Sequence, residues 1–174
     1  MKIFYLLLIS LTLFGNNFDD GYKAYKNGNK KMAIELFKKA CDDGDMGGCY
    51  NLAVHYFNGD GISQNKKMAS IFYQVACSGG NMSGCYSLGY IYDTGDGAPQ
   101  NKKMAYSLYK KACKGGNMGG CYTLGYIYDT GEGAPKNKNM AYSLYQRACD
   151  GGIMQGCYNL GTKYEKYDAP QSKK

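Results

Sequence analysis

Histidine is nearly absent from this sequence, and no two cysteines lie three positions apart, so the usual zinc-binding patterns are missing. Zinc sites in proteins use C-x-x-C pairs or clusters of histidine and cysteine. The single histidine, His55, lies where later copies of the same sequence pattern have Ile91 and Ile127, so we expect it on a partly buried helix face. We therefore expect neither a metal nor another cofactor.

Long apolar stretches are also missing. The longest, residues 3–14, is shorter than the roughly 20 residues that span a bilayer. Because it follows the charged start Met1-Lys2 and precedes small and polar residues, we interpret residues 1–15 as a signal peptide. No cysteine follows the apolar run directly, which argues against a lipid anchor. After cleavage we expect no membrane span.

Negative charge is scarcer than positive charge, with 14 acidic and 21 basic residues and a formal net charge of +7. The lysines are spread along the chain instead of forming one cluster. Such a spread is typical of a solvated surface, so we do not expect nucleic acid as a partner. Weak attraction to an acidic partner or to an envelope surface remains open.

What the sequence has in abundance is a repeated segment. It begins at Ala40, Ala76, Ala112 and Ala148, with a period of 36 residues. A fixed period of this length indicates stacked supersecondary units, because one unit alone cannot bury its apolar face. Each copy carries two cysteines eight residues apart, as Cys41 and Cys49, Cys77 and Cys85, Cys113 and Cys121, and Cys149 and Cys157.

The spacing of these cysteines constrains how they can pair. Residues eight apart on an unbroken helix are separated by roughly 12 Å, whereas a disulfide needs Cα atoms about 4.4 to 6.8 Å apart. A bonded pair therefore requires the chain to reverse between its cysteines, and the glycines at 44, 79–80, 115–116 and 151–152 suit such a turn. Eight cysteines allow 105 pairings, and this geometry favours the local one. Paired cysteines and a signal peptide together predict a secreted or periplasmic protein.

The repeat predicts an all-α fold of nine helices, arranged as four antiparallel pairs and a final capping helix. Apolar residues recur at helical spacing, Asn65, Asn101 and Asn137 stand where N-caps are wanted, and no strand signal competes. We expect one solenoid over residues 16–167. Its predicted units are residues 18–43, 44–79, 80–115, 116–151 and the capping helix 152–167, followed by a flexible tail at 168–174.

The pattern Leu-(Gly or Ala)-x-x-Tyr, then Gly-x-Gly, then Ala-x-x-x-Tyr-x-x-Ala resembles the Sel-one-like repeat, a relative of the tetratricopeptide repeat. With cysteines eight apart, the chain is similar to the Helicobacter cysteine-rich protein family. The resemblance covers residues 18–167 and implies a right-handed superhelix with local disulfides, in the periplasm or secreted. It also implies two activities described for some members: binding of penicillin with weak β-lactamase activity, and interaction with host proteins.

A serine β-lactamase needs a nucleophilic serine with a lysine one helical turn further on, together with S-D-N and K-T-G motifs. The sequence has Ser63 with Lys66 and Ser107 with Lys110, but neither accompanying motif. A sister copy of the second pair has Ser143 with Gln146. No catalytic residue can therefore be named, and any hydrolysis would use a site that the sequence does not display.

Tyrosine is the most abundant aromatic residue, with 19 copies and no tryptophan. In each copy a tyrosine follows the leucine of the repeat by four residues, and we expect it to pack in the core. These tyrosines are Tyr56, Tyr92, Tyr128 and Tyr164. A second set lies on another face that, by analogy with tetratricopeptide stacking, lines a concave groove. The predicted groove residues are Tyr50, Tyr86, Tyr90, Tyr122, Tyr126 and Tyr158, with Asn51, Asp93, Asp129 and Asn159 beside them. The alternative is that these tyrosines pack between neighbouring units.

Two functional hypotheses follow, from different classes. In the first, the protein is a secreted, disulfide-stapled scaffold that binds a peptide or a host or envelope protein in the groove, because tyrosine provides contact area at low entropy cost. In the second, which only the family resemblance supports, it binds or hydrolyses β-lactams or cell-wall fragments. A purely structural adaptor with no groove ligand is a third alternative.

Overall fold

The computed structural model describes residues 17–163. The predicted signal peptide, the tail at 168–174, Tyr164 and the end of the capping helix lie outside these residues. No helix within the described part of the chain is both long and apolar enough to span a bilayer.

Residues 17–163 form nine α-helices and no strand, as the repeat predicts. Each helix packs mainly against its neighbours in the sequence, so the fold is built of helix pairs. The helices are α1 (Asn17–Lys26), α2 (Lys30–Asp42), α3 (Met46–Asn58), α4 (Lys66–Ser78), α5 (Met82–Thr94), α6 (Lys102–Lys114), α7 (Met118–Thr130), α8 (Lys138–Asp150) and α9 (Met154–Lys163).

The predicted N-caps are confirmed. The side-chain oxygens of Asn65, Asn101 and Asn137 each accept a hydrogen bond at 3.0 Å from the backbone N–H three residues further on. Such a cap satisfies one of the backbone donors that the first turn of a helix leaves unpaired. The asparagines therefore fix the first residues of α4, α6 and α8.

The chain consists of two compact units that divide between Asn81 and Met82. The first contains α1 to α4, with a core built around Ile34, Phe37 and Leu52. The second contains α5 to α9, and its fully buried side chains include Tyr109 and Tyr145. The unit boundaries predicted from the 36-residue period stay predictions.

The local disulfide pairing is confirmed. Cys41 bonds Cys49, Cys113 bonds Cys121 and Cys149 bonds Cys157, with Cα atoms 4.5, 4.5 and 4.7 Å apart. The two remaining cysteines, Cys77 and Cys85, are disulfide-bonded as well. In each pair the preceding helix continues one residue beyond the first cysteine, ending at Asp42, Ser78, Lys114 and Asp150.

The two glycines of a Gly-Gly turn have different structural roles, as Gly115 and Gly116 illustrate. Only the second has a left-handed backbone, with φ of +92° at Gly116, which a side chain would strain. The first caps α6 with φ of −82°, so the left-handed residue is not at this position. A methyl group on Gly115 would lie 2.3 Å from the sulfur of Met82, which packs at that point. Gly115 is therefore small because a neighbouring helix begins against it.

Candidate functional site

Three of the predicted groove tyrosines pack against buried tyrosines. The rings of Tyr50, Tyr86 and Tyr122 are half-buried, and each centroid lies 5.7 Å from that of Tyr73, Tyr109 or Tyr145 respectively. The partner tyrosine lies on the helix that follows in sequence. These rings therefore contribute to helix packing in their own unit.

Tyr86 also contacts a second helix. A methyl group added at Gly119, in the first turn of α7, would lie 3.5 Å from Cζ of Tyr86. The ring of Tyr86 thus lies close to both α6 and α7 within the second unit. This environment agrees with the alternative interpretation of these tyrosines, in which they pack between repeats. Ligand binding by Tyr86 stays a prediction.

The other predicted groove tyrosines, all in the second unit, are exposed. Tyr90 in α5 and Tyr126 in α7 have 45 % and 40 % of their surface accessible, and Tyr158 in α9 has 70 %. Asp93 and Asp129 follow Tyr90 and Tyr126 by three residues, so each pair lies on one side of its helix. We call Tyr90, Asp93, Tyr126 and Asp129 the tyrosine face.

Ion pairs hold both carboxylates of the tyrosine face. Nζ of Lys102 lies 2.7 Å from Oδ1 of Asp93, and Nζ of Lys163 lies 2.7 Å from Oδ2 of Asp129. Lys163 belongs to α9 and Asp129 to α7, so this pair joins two helices of the unit. Both lysines are exposed, and ion pairs at the surface contribute only about 0 to 1 kcal/mol to stability, so we expect the main effect of these pairs to be the orientation of the carboxylates.

Asp93 also contacts the core through Tyr109. Burial and the negative charge of Asp93 raise the pKa of Tyr109 well above its ordinary value of 10.0, and a hydrogen bond to Asp93 adds to the shift. Tyr109 therefore stays neutral and donates its hydroxyl hydrogen to the carboxylate. A buried donor and an exposed lysine together fix Asp93 beside Tyr90.

The two predicted asparagines have different environments. Asn51 in α3 donates from Nδ2 to the carbonyl oxygen of Gly47 at 2.9 Å, while its side chain borders a cavity in the first unit. Asn159 in α9 is 8 % exposed, so its side chain is buried instead of lying on an open surface. Of the two, Asn51 borders a cavity, and ligand binding by either residue stays a prediction.

The histidine has the environment expected from the sequence. His55 is 4 % exposed and lies on the face of α3 that corresponds to Ile91 in α5 and Ile127 in α7. The cavity it borders was not predicted. Its signal in the sequence is the polar residue at a position that is otherwise isoleucine, together with Tyr22 and Tyr25 in α1.

The two serine–lysine pairs are not arranged as a nucleophile and its base. Oγ of Ser107 donates to the carbonyl oxygen of Lys103 at 3.1 Å, while Nζ of Lys110 lies 5.8 Å from the ring centroid of Tyr106. Ser63 is exposed in the loop before α4, and Nζ of Lys66 lies over the ring of Phe57. Within residues 17–163 no group of three or more His, Cys, Asp or Glu side chains could hold a metal ion.

Paired helices, a recurring pattern of small and aromatic residues and disulfides across eight residues together define a repeat. The family model of the Sel1 repeat matches residues 18–45, 47–81, 83–117 and 120–153. The chain belongs to the Sel1 repeat family. It is a Sel1 repeat protein of the Helicobacter cysteine-rich type, and its all-α, paired-helix fold follows from that membership.

Three similar proteins illustrate the family. The Helicobacter pylori (strain J99) protein named "Putative beta-lactamase HcpE" is 51 % identical over 41 residues, which are 24 % of this chain and 12 % of that protein. The structure of Helicobacter pylori cysteine rich protein B has a TM-score of 0.60 at 29 % identity, covering 81 % of this chain and 95 % of that one. The SLR-fold protein c5321, a protective antigen of uropathogenic Escherichia coli, has a TM-score of 0.80 at 28 % identity, covering 87 % and 33 %.

The curated relatives match only in part. Their matched segments span between 11 % and 18 % of their own lengths, about one repeat and its flanks. What such a match transfers is the repeat itself. The chain is a Sel1 repeat scaffold, and its activity and partners are a separate question.

Proposed function

We propose that this Sel1 repeat protein binds a peptide or protein through the tyrosine face of its second unit. The observation that carries the proposal is the exposure of Tyr90 and Tyr126, each with an oriented aspartate one turn further along its helix. Exposed tyrosine gives a partner apolar contact area and a polar tip, and it loses little side-chain entropy on binding. The carboxylates add acceptors for the partner's backbone or basic side chains.

The scaffold supports such a role because its helix pairs are closed by covalent bonds. A disulfide that joins two helices across a short turn limits how far they can separate, so the exposed side chains keep their spacing. A preorganised surface loses less entropy when a partner binds. The disulfides also support a secreted or periplasmic location, since such bonds persist in oxidising compartments.

A second candidate function is binding or hydrolysis of β-lactams or cell-wall fragments. Its support is the name of the Helicobacter pylori relative HcpE, which matches 24 % of this chain. Oxidised protein that hydrolyses nitrocefin or retains labelled penicillin would favour it. Protein that does neither would leave the binding scaffold as the better account.

The experiment that tests the first proposal compares two double variants. Tyr90→Ala with Tyr126→Ala removes the aromatic rings of the tyrosine face. Met104→Ala with Met140→Ala is the matched control, because these methionines are also 36 residues apart and each 43 % exposed, on α6 and α8. Oxidised protein is used to capture partners from envelope and host-cell extracts.

We expect the tyrosine variant to lose a partner that both the wild type and the methionine variant retain. A partner retained by all three proteins, or lost with the methionines alone, would contradict the proposal. Tyr86→Ala and Tyr122→Ala are less suitable, since their rings pack against Tyr109 and Tyr145 and their loss would disturb the fold.

A further inference from the structure

The first unit contains a cavity that neither the repeat nor the proposed function explains. Its volume is about 120 Å³, and it lies between Tyr22 and Tyr25 of α1, Phe37 of α2 and His55 of α3. An engineered apolar cavity of about 150 Å³ takes up benzene, so one six-membered ring that stays partly outside is the largest group that this smaller, open cavity admits. Tyr22 and Tyr25 are 46 % and 43 % exposed, so the cavity is reached from solvent past their rings.

His55 lines this cavity together with the polar residues Asn51, Asn58 and Asp60. Its Nδ1 lies 2.7 Å from the carbonyl oxygen of Asp60. A carbonyl oxygen can only accept, so Nδ1 carries a hydrogen, and in the neutral tautomer Nε2 holds a lone pair. Within residues 17–163 no hydrogen bond to Nε2 is present, and Nε2 is not one of the buried atoms that lack a partner, so it is accessible. Nε2 is therefore the acceptor left for a molecule in the cavity.

The remaining lining combines aromatic walls with more acceptors. The rings of Tyr25 and Phe37 lie 5.5 and 5.8 Å from that of His55, Tyr25 nearly perpendicular to it. Because Nδ2 of Asn51 donates to Gly47, its Oδ1 remains an acceptor at the cavity. The carboxylate of Asp60 is paired with Lys30, so it adds no unpaired negative charge. A ring with one hydrogen-bond donor fits these aromatic walls and acceptors better than an anion does.

The second unit shows what the repeat does without such a site. At the position of His55 it has Ile91, which is fully buried, and Ile127, which is 6 % exposed. An isoleucine side chain needs no hydrogen-bond partner when it is buried, whereas an imidazole buried without one costs free energy. The histidine thus marks a local departure from the repeat, at the point where the cavity lies.

We propose that this cavity is a binding site for the phenol ring of a tyrosine side chain presented by a partner. The ring enters between Tyr22 and Tyr25, and its hydroxyl donates to Nε2 of His55. The larger indole of tryptophan exceeds the volume. The site belongs to the first unit and is tested with a small molecule, so its failure would leave the tyrosine face of the second unit untouched.

The test is a titration of the oxidised full-length protein with p-cresol, which is the tyrosine side chain, and with toluene, which has the same ring and methyl group but no donor. Binding is followed by NMR through the ¹⁵N shift of His55 Nε2. We expect p-cresol to bind about tenfold more tightly than toluene, the ratio that one hydrogen bond of about 1.4 kcal/mol provides. We also expect p-cresol to shift the Nε2 signal.

Two variants complete the experiment. His55→Ile, which installs the residue of the sister repeats, should remove the preference for p-cresol over toluene. Met140→Ala, in the other unit, should leave it unchanged. Equal binding of p-cresol and toluene to the wild type, an unmoved Nε2 signal, or tighter binding of n-butylammonium than of p-cresol would overturn the proposal. The wild-type readouts decide the matter even if His55→Ile does not fold.

Discussion

The two units use one repeat in two ways, and the difference lies in a few side chains. In the second unit Tyr109 donates to Asp93 of the preceding helix, and Ile127 fills the core beside it. In the first unit the corresponding residues are Phe37, Tyr25 and His55, whose rings contact one another beside a cavity. The hydrogen-bonded pair and filled core of the second unit are thus replaced, in the first unit, by an aromatic cluster beside a cavity.

The framework around these positions is the same in both units. Gly21 and Gly89 each lie against the aromatic residue of the next helix: a methyl group on either would come within 2.9 Å of Phe37 or Tyr109. The disulfides at 41–49 and 113–121 have the same Cα separation of 4.5 Å. Because the closest approaches and the covalent links are fixed, individual core positions can change chemistry without changing the helix pairs.

Exchanging His55 of the first unit and Ile91 of the second for one another's residue type should have the largest effect on the free energy of unfolding. Ile91→His places an imidazole at a fully buried site, so it should cost about 3 to 5 kcal/mol from lost apolar burial and an unsatisfied polar group. His55→Ile should change the free energy of unfolding by less than about 1 kcal/mol, since the cavity beside it accommodates the new side chain. Denaturant unfolding of both variants measures the asymmetry. Equal costs would mean that position 55 is an ordinary core site.

The disulfides should behave alike in the two units. Cys41→Ala with Cys49→Ala, and Cys113→Ala with Cys121→Ala, should each lower the free energy of unfolding by about 2 to 3 kcal/mol, the chain-entropy value for a nine-residue loop. Thermal and denaturant unfolding of the two double variants provides the comparison. A loss confined to one unit would show that the shared framework does not carry the stability equally.

Alkaline pH should sharpen the contrast between Tyr109 and Phe37. The pKa of Tyr109 is raised in the folded state, whereas in the unfolded chain it ionises near 10.0. The unfolded state therefore releases a proton first, and stability falls as pH rises above about 10. Between about pH 8 and about pH 11, the free energy of unfolding should fall by about 1.4 kcal/mol less in Tyr109→Phe than in the wild type. Parallel pH profiles would show that Tyr109 titrates normally; Phe37→Tyr, which adds a hydroxyl in the first unit, is the reciprocal variant.

The sequence was sufficient for the fold because its signals are local. The period of 36 residues, the asparagine caps and the cysteine spacing each act over a few turns of chain, and the helix bounds agree with them to within a residue or so. The side-chain environments depend on neighbouring repeats, which the period does not encode. Tyr86 and Tyr90 illustrate this: four residues apart on α5, one packs against Tyr109 and the other is exposed.

The cavity could not be predicted because a void is a property of the packing around it. The sequence shows that His55 replaces isoleucine, but not that its Nδ1 meets the carbonyl oxygen of Asp60 or that Tyr22 and Tyr25 leave space beside it. Similarly, the acidic residues Asp93 and Asp129 were identified from their spacing to the tyrosines. Their ion pairs with Lys102 and Lys163 depend on how the helices pack.

The most direct test of this account is the mapping of disulfides in the oxidised protein by proteolysis without reduction and mass spectrometry. The account predicts linkages of Cys41 with Cys49, Cys113 with Cys121 and Cys149 with Cys157, and no free thiol at these positions. Free thiols there, or linkages that join cysteines of different repeats, would contradict it, because the helix pairs that present both candidate sites would then not be closed as described.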